Sequence, residues 1–575
     1  MKKFSKIITL CLALVFVLST AGCFKSNVIE ADPNKTALYI RYFNAGFGDR
    51  WLTAAETRFE QMYEEISFEP GKRGVDIVID PSDSKSDFSA DMQTQRDYVY
   101  FAESFDMLSY NTAGVLEDIT EAMKTPLNES YGEDAEGNPL PGYAGETLSV
   151  YEKMSQSEKD YYVLNEGGEQ KIRAIPYIDC YNGTLTYDAD VFETYGLYRD
   201  SSNQLGATKA SGVALGVGPD GVPNTADDGM PRTYDELFEL CYRYKGFIQP
   251  FVWCGNYTAY VTELANNLFF QNAGSAFVDG LLQGQGTVPD KIVGDISDLG
   301  LDSVSQTNNY NYQTESQAFT ATDYKHIFGS ASLFNAVDFV YQILKNNYVD
   351  KTKFVASYTN EVAQSDFYFG KENNEKDFGF LVEGTWWFNE AEKAISRYET
   401  NNDLGKDRYT RNVLYMPLPK ADEATFNRTI GENVVASNYI TAIAVKKGLN
   451  PVQKLVAETF VRFYCTNESL AEYNRIVSQP RGLNYTLSAT QYNSLTPYAQ
   501  SLYNIKTGLN GYNTFKVKFL RSSSDFYRNN YSLFDLGFMS SQPAGFAKFS
   551  EIAPAFKDYP SLDAIKYYSG ILATY

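Results

Sequence analysis

The chain has 575 residues, a formal net charge of -22 and a single histidine, His326, while tyrosine, phenylalanine and tryptophan make up 15% of it. Such an acidic surface repels nucleic acid and anionic lipid, so the partner is expected to be neutral or cationic. A single histidine argues against Ser-His-Asp catalysis, Cys-His catalysis and histidine-rich metal sites.

The first 22 residues have the pattern of an export signal. Lysines precede an apolar run from Ile7 to Leu18, and small residues then lead to Cys23. A run of about 12 apolar residues is too short for a membrane span, which needs about 20, so we expect its removal after export. The ending resembles the lipobox of bacterial lipoproteins, with Thr20 where that family most often has leucine. This resemblance implies that Cys23 carries acyl chains, such as palmitate; the alternative is an ordinary signal with an incidental cysteine.

The segment after the signal, residues 23–36, is short and polar, which predicts a lipidated, flexible tether. The remaining chain is long enough for two or more lobes. Its cysteines lack CxxC spacing, which indicates buried thiols, with one disulfide as the alternative. These cysteines are Cys180, Cys241, Cys254 and Cys465.

From residue 37 onwards, strand-like runs alternate with helical ones, which is typical of an α/β fold. The runs predict a strand at 37–43, a helix at 49–64, a strand at 75–79, a helix from Asp91 and the end of a strand at 104–109. Because open parallel sheets bind ligands at the carboxyl ends of their strands, residues 44–51 and 106–110 are expected at a cleft.

A set of motifs then follows in the order seen in the extracellular solute-binding proteins of carbohydrate-type ABC importers, which include maltodextrin-binding proteins. The motifs are Ala113–Thr120, Ala174–Tyr177, Thr186–Leu197, Met230–Leu237, Glu383–Trp387, Met416–Pro419, and Ala442–Lys447 with the helix from Pro451 to Cys465. The chain resembles this family over residues 37–485. It departs from the family pattern at Tyr187-Asp188 and Thr233-Tyr234, and by extra length at 132–162, 200–229, 308–325 and after 486.

The resemblance implies a two-lobed fold of the periplasmic-binding-protein type II, with a hinge between the lobes. The expected domains are the signal 1–22, the tether 23–36, lobe 1 at 37–177 plus 425–480, and lobe 2 at 178–424 plus 481–575. Chain crossings are expected near 175–181, 417–424 and 479–484.

The family also implies a function without catalysis. A ligand that touches both lobes shifts the population toward the closed form, and the transmembrane subunits of an ABC permease read that closure. The expected protein is a monomeric, non-enzymatic sugar-transport lipoprotein on the extracellular face of the cell membrane, or on the periplasmic face in a host with an outer membrane.

Tryptophans are the first candidates for ligand contacts, because flat rings stack on sugar faces. Trp386 and Trp387 follow the apolar run 378–382, and consecutive rings in an extended chain point to opposite faces. The family position of the stacking ring maps to Trp386. The segment 249–253, which contains the candidates Phe251 and Trp253, resembles the one in which family members place another stacking ring. Trp51 is a further candidate, with core packing as the alternative.

Polar candidates stand at predicted strand ends and crossings, where carboxylates and amides bind sugar hydroxyls. They are Asp49, Asp106, Asp179, Glu383 and Arg481. An N-cap role competes for Asp49. A salt bridge between the lobes competes for Glu383, and a structural role competes for Arg481.

A glycine-rich acidic loop at 218–229 contains oxygen ligands that suit calcium. They are Asp220, Asn224, Asp227 and Asp228. The spacing is not that of an EF-hand, and a solvated acidic loop is the alternative. No other cofactor is expected.

Two other classes of function stay open: a secreted glycoside hydrolase and a surface adhesion lipoprotein. A hydrolase turns sugar over, whereas an adhesin shows no ligand-induced closure. The ring content favours a neutral sugar or oligosaccharide as the ligand, while the negative charge leaves peptides or polyamines open.

Overall fold

The computed structural model describes residues 29–43, 46–82, 88–255, 259–372, 374–399, 407–437, 440–509 and 517–520. The predicted signal, Cys23 and the first half of the tether lie outside these residues, as does the chain beyond 520. Within the described ranges, no helix combines the length and the apolar character that a membrane crossing requires.

Strands and helices alternate along the described chain. The strands are β1 (Thr36–Phe43), β2 (Val75–Ser82), β3 (Val99–Ala102), β4 (Val163–Glu166), β5 (Glu169–Ile172), β6 (Ala174–Pro176), β7 (Thr184–Asp188), β8 (Tyr198–Arg199), β9 (Leu205–Ala207), β10 (Ile248–Val252), β11 (Gln285–Leu301), β12 (Asn308–Thr320), β13 (Asp377–Glu383), β14 (Val413–Met416), β15 (Val434–Ser437), β16 (Ala442–Val445) and β17 (Val517–Leu520). The α-helices are α1 (Arg50–Met62), α2 (Ser89–Thr94), α3 (Met107–Ala113), α4 (Thr120–Lys124), α5 (Val150–Lys153), α6 (Gln156–Tyr162), α7 (Ala189–Tyr195), α8 (Tyr234–Tyr244), α9 (Ala259–Ala273), α10 (Ser275–Gln283), α11 (Ala331–Lys345), α12 (Asn360–Phe369), α13 (Trp387–Glu390), α14 (Glu392–Glu399), α15 (Glu423–Arg428), α16 (Pro451–Tyr464), α17 (Asn467–Val477), α18 (Ala489–Asn493) and α19 (Pro497–Thr507).

The first sheet has the strand order β2-β1-β3-β16-β6. β1 pairs in parallel with β2 and β3, while β16 runs antiparallel to β3 and β6. One face of β1 buries Leu38 and Ile40 in a core that also contains Phe59 of α1 and Phe460 of α16. The apolar residues of α1 recur along one face of the helix, which explains why this face packs on the sheet. We call this cluster the first core.

The second sheet has the strand order β10-β13-β7-β14 and is covered on both faces. β10 and β13 are parallel, and β7 runs antiparallel to β13 and β14. Phe251 and Phe380 belong to the core on one face, which we call the second core, and Leu381 belongs to the cluster on the other. β11 and β12 form a separate antiparallel hairpin, which contains part of the extra length noted at 308–325.

Three segments connect the two sheets. The chain leaves the first sheet at Pro176 and enters the second at Thr184; it returns between Met416 and Ala442. After α17 it runs back along the first crossing, where Ile178 bridges to Arg481. It then reaches α19, which contributes Tyr503 to the first core and Tyr498 to the cluster on the second sheet.

Both cores include residues close to the expected lobe boundaries. Val434, beyond the expected boundary at 424, still packs in the second core. Leu483 and Tyr485, beyond the expected boundary at 480, pack in the first core. The four described cysteines are buried and form no disulfide, which confirms the prediction of buried thiols.

Two local predictions are wrong. The segment 104–109 is not a strand end, because β3 already stops at Ala102 and Asp106 then caps α3 by accepting hydrogen bonds from Leu108 N and Ser109 N. Trp386 and Trp387 are not in an extended chain either. β13 stops at Glu383, and the α-helical conformation of Trp386 starts the short helix α13.

Candidate ligand-binding cleft

The segments that join the sheets are held together by a buried ion pair. The Asp179 carboxylate accepts hydrogen bonds from Lys506 Nζ at 2.8 Å and from Tyr181 Oη at 2.6 Å. The amide of Asp179 donates to Pro480 O at 3.0 Å. Asp179 therefore links the first crossing, the third crossing and α19, which are the segments that a hinge movement would have to bend or shift.

Arg481, the second candidate in this region, is completely buried. Its Nε donates to Tyr177 O at 2.6 Å, and its guanidinium lies 4.2 Å from the ring centre of Tyr464 and 5.4 Å from that of Tyr473. Arg481 thus holds the third crossing against the first through backbone and aromatic contacts. These contacts correspond to the structural role that the sequence analysis gave as the alternative for Arg481.

Trp51 lies in the same aromatic cluster. It is 3% exposed, and its Nε1 donates to Gly48 O at 2.8 Å. Its ring lies 5.1 Å from Phe101 and 5.4 Å from Tyr177. These contacts place the Trp51 ring in the first core, behind the loop that follows β1.

Several polar atoms around this cluster are buried and have no hydrogen-bond partner among the described residues. They are the hydroxyls of Tyr177, Tyr464 and Tyr473 and Nη2 of Arg481. Native proteins leave few such atoms unpaired, and those they do leave often mark a functional site or an ordered water. These polar atoms surround Tyr177, which directly follows β6, and they interact with one another: Tyr473 with Tyr177, and Tyr464 with Arg481.

The segment that follows β13 lies on the other side of the contact between the lobes. Trp386 is 7% exposed, packs with the first core and lies 6.2 Å from the ring of Tyr260 on α9. Tyr260 is half-buried and touches the clusters of both sheets. These two rings stand where the lobes meet, which is the position expected of a ring that contacts a bound sugar.

The lobes touch each other through α13 and α14. Asn389 Nδ2 donates to Gly46 O, and Arg50 forms an ion pair with Glu392. A methyl group added to Gly46 would collide with Cγ of Glu390, so the glycine packs directly on that side chain. The described structure is therefore an arrangement in which the two lobes are in contact.

Glu383 lies next to this contact and is 1% exposed. Burial, followed by the nearby charge of Glu390, raises its pKa well above the usual value. Neither Glu383 nor Glu390 forms an ion pair within the described part of the chain, so the bracing salt bridge that was the alternative role for Glu383 is not seen there.

Trp253 and Phe251 lie inside the second core. Phe251 is fully buried, with its ring 5.1 Å from Phe380. Trp253 is 2% exposed and stacks on Phe354 with 5.6 Å between the ring centres. The structure does not bring these two rings to the contact made by Trp386.

The two remaining acidic candidates stand at helix starts. Asp49 is exposed and precedes α1, where its carbonyl accepts the amide of Leu52 at 2.9 Å; its side chain makes no capping bond. Asp106 is half-buried, and its carboxylate accepts Leu108 N at 3.0 Å as the cap of α3.

The acidic loop at 218–229 uses its carboxylates within the turn. Asp220 accepts Val222 N at 2.7 Å, Asp227 accepts Thr225 Oγ1 at 2.7 Å, and Asp228 accepts Asn224 N at 2.8 Å. Burial and the neighbouring Asp227 raise the pKa of Asp220 to about 7. Among the residues that the structure describes, no group of three or more His, Cys, Asp or Glu side chains is arranged to hold a metal ion.

Sequence reasoning missed several side chains at the contact between the lobes. Tyr260, Gln364 and Glu390 come from three helices, and none belongs to a motif. Glu103, directly after β3, is 2% exposed and was missed because the strand was expected to end later. The signal that could have indicated Glu103 is an acidic residue placed directly after the apolar run of a buried strand.

No protein-family model and no curated protein matches the chain. Solved structures do. A chitin oligosaccharide binding protein superposes with a TM-score of 0.52 at 13% identity, over 94% of this chain and 99% of that one. A structure from work on xylan utilization by the thermophilic bacterium Caldanaerobius polysaccharolyticus superposes with a TM-score of 0.51 at 10% identity, again over 94% and 99%. The chain thus has the two-lobed α/β fold of solute-binding proteins, as expected from its motifs.

Proposed function

We propose that this protein is the substrate-binding lipoprotein of an ABC transporter, which captures a sugar or oligosaccharide between its lobes and delivers it to a membrane permease. The observation that carries the proposal is the arrangement of two sheets, joined by three segments, whose lobes meet at Trp386, Tyr260 and Gly46. The similarity in fold to a chitin oligosaccharide binding protein supports the same ligand class.

The mechanism is closure around a ligand. A sugar that contacts both lobes adds interactions that exist only when the lobes are together, so it shifts the population toward the closed form. Lobe 1 consists chiefly of 37–177 and part of 425–480, and lobe 2 chiefly of 178–424. The permease then distinguishes loaded from empty protein by shape, and no nucleophile or redox group is needed.

The ligand chemistry follows from the rings at the contact. The faces of Trp386 and Tyr260 suit the C–H groups of a pyranose, and the amides and carboxyls beside them suit its hydroxyls. A neutral sugar fits this surface better than a phosphorylated one, because the Glu390 carboxylate would repel a phosphate.

Calorimetric titration tests the proposal. The chain without residues 1–23 is titrated with mono- and oligosaccharides, including chitin and xylan oligosaccharides, and Trp386→Ala is titrated in parallel. We expect saturable binding without product, and at least a tenfold loss of affinity in Trp386→Ala, equivalent to about 1.4 kcal/mol. Tyr409→Ala, which removes a ring that is 53% exposed, is the matched control and should bind like the wild type.

Absence of binding to every sugar, or full affinity in a folded Trp386→Ala protein, would rule out the sugar cleft. The buried position of Trp253 leads us to expect a loss of unfolding stability, rather than of affinity alone, in Trp253→Ala.

The lipid anchor has a separate test. Mass spectrometry of the mature amino terminus should find acyl chains on Cys23 and none in Cys23→Ala.

A further inference from the structure

A buried carboxyl, Glu383, and a partly buried one, Glu390, lie beside one amide side chain at the contact between the lobes. Gln364 Nε2 donates to Glu390 Oε2 at 2.8 Å, and the same side chain adjoins Glu383. Asn360 Nδ2 also donates to Glu390 Oε2, at 3.0 Å. Two amide donors thus fix Glu390 as an acceptor, which suits a carboxylate.

Glu383 has a poorer set of donors. Its Oε1 accepts the adjacent Gly384 N at 3.0 Å, and the side chains of Tyr260 and Gln364 also interact with the carboxyl. Its Oε2 is buried and lacks a well-formed hydrogen bond. Gln364 Oε1, on the amide between the two carboxyls, is also buried and has no donor. This corner therefore contains more acceptors than donors, an imbalance that one proton would reduce.

The charges around the pair do not favour two carboxylates. Tyr260 of α9 and Tyr498 of α19 face Glu383, and Cys254, after β10, lies near Tyr260. Glu361 of α12 faces Glu390 and adds negative charge. Across the described ranges, no lysine, arginine or histidine lies within 4.0 Å of either carboxyl. A buried carboxylate that feels the charge of a second, partly buried one and has no cation beside it is unstable, which favours one proton on the pair.

The pair also lies where the other lobe makes contact. Gly46, in the loop after β1, packs on Glu390, and the neighbouring Asn389 donates to Gly46 O. The approach of this loop removes water from Glu390. Loss of water makes a carboxylate costlier, so closure of the lobes and the proton on the pair are coupled.

We propose that Glu383 and Glu390 hold one proton between them, with Glu383 the neutral acid, and that this pair is a proton-sensitive contact between the two lobes. Glu383 then acts as a positioning residue that donates a hydrogen bond within the cleft wall, not as a charged ligand for hydroxyls. The protonation itself does not depend on the proposed function; only its effect on sugar affinity rests on it.

Thermal unfolding as a function of pH, without any ligand, tests the proposal. Burial raises the pKa of Glu383 in the folded protein, so the folded state binds the proton more tightly than the unfolded state does. The stability of the wild type therefore falls as the pH rises above about 4.5, until the pH passes the folded pKa. Glu383→Gln removes this cost, and its Tm should rise by about 2–4 °C relative to the wild type between about pH 5 and pH 8.

Glu375→Gln removes an exposed carboxyl two residues before β13 and is the matched control, which should follow the wild-type curve at every pH. Equal pH dependence in Glu383→Gln and wild type would overturn the proposal.

If Glu383→Gln does not fold, the variant Glu390→Gln tests the proposal instead. It removes the neighbouring charge that raises the pKa of Glu383, so its loss of Tm over the same range should be smaller than in the wild type. A loss as large as in the wild type would overturn the proposal. These unfolding curves do not depend on sugar binding. If the protein binds no sugar, the proposed function fails but the curves stay as expected, so failure of the proposed function and failure of the proton-sensitive contact are distinguishable.

Discussion

Asp179 and Glu383 are both buried carboxyls beside the cleft, but their neighbours differ in charge. Asp179 has the ammonium of Lys506 at 2.8 Å and a tyrosine hydroxyl at 2.6 Å. Glu383 has a second carboxyl nearby and no described cation. A carboxyl with a cation is kept as an ion and ties segments together, whereas a carboxyl that faces another acid keeps its proton and responds to pH. Burial alone therefore does not tell which role an acidic residue has.

Removal of Asp179 should have the largest effect. Asp179→Ala leaves the Lys506 ammonium, whose side chain is 10% exposed, without its partner, and we expect the free energy of unfolding to fall by about 3–5 kcal/mol. Urea unfolding measures this. Glu69→Gln, which breaks an exposed ion pair with Lys72, should cost less than about 1 kcal/mol. Equal losses in the two variants would mean that Asp179 does not hold the crossings.

Removal of Lys506 should give Asp179 the pH dependence that we expect for Glu383. In Lys506→Met, buried Asp179 loses the ammonium that pairs with it, which favours its protonated form in the folded protein, so the stability falls as the pH rises. We expect an additional loss of about 1–2 kcal/mol between about pH 5 and pH 8, measured by urea unfolding at each pH against the wild type. A loss that does not change with pH would contradict the comparison.

A methyl group at Gly46 should separate the lobes with a smaller effect on stability. Gly46 has φ +101°, and an alanine there would collide with Glu390. Gly48→Ala is the matched control, because Gly48 has φ +70° and open space around a new Cβ. Both variants should lose about 1–2 kcal/mol through backbone strain. Only Gly46→Ala should increase the radius of gyration in small-angle X-ray scattering; an equal radius in both would show that this contact does not hold the lobes together.

The fold could be predicted because its signals are local. The alternating apolar residues of β1 and the amphipathic face of α1 follow from periods of two and 3.6 residues, and the motifs give the order of the elements. The start of α13 at Trp387 could not be predicted in this way, since a pair of tryptophans suits a strand as well as a helix.

The candidate site was harder to predict, because its properties come from distant parts of the chain. Trp253 looks like a stacking ring until Phe354, about a hundred residues later, is seen to cover it. The state of Glu383 depends on Tyr260, Gln364 and Glu390, which three different helices contribute. A single sequence contains no record of these contacts.

The helix α19 has a consequence for how the chain can be divided. Ala499 and Tyr503 belong to the first core, while Tyr498 and Leu502 belong to the cluster on the second sheet. A gene fragment that encodes either lobe alone would lack one half of this helix's packing partners, and a chain cut before Pro497 would expose apolar surface on both lobes at once. The two lobes are thus not exchangeable modules, and recombination between relatives would have to transfer α19 together with both of its partners.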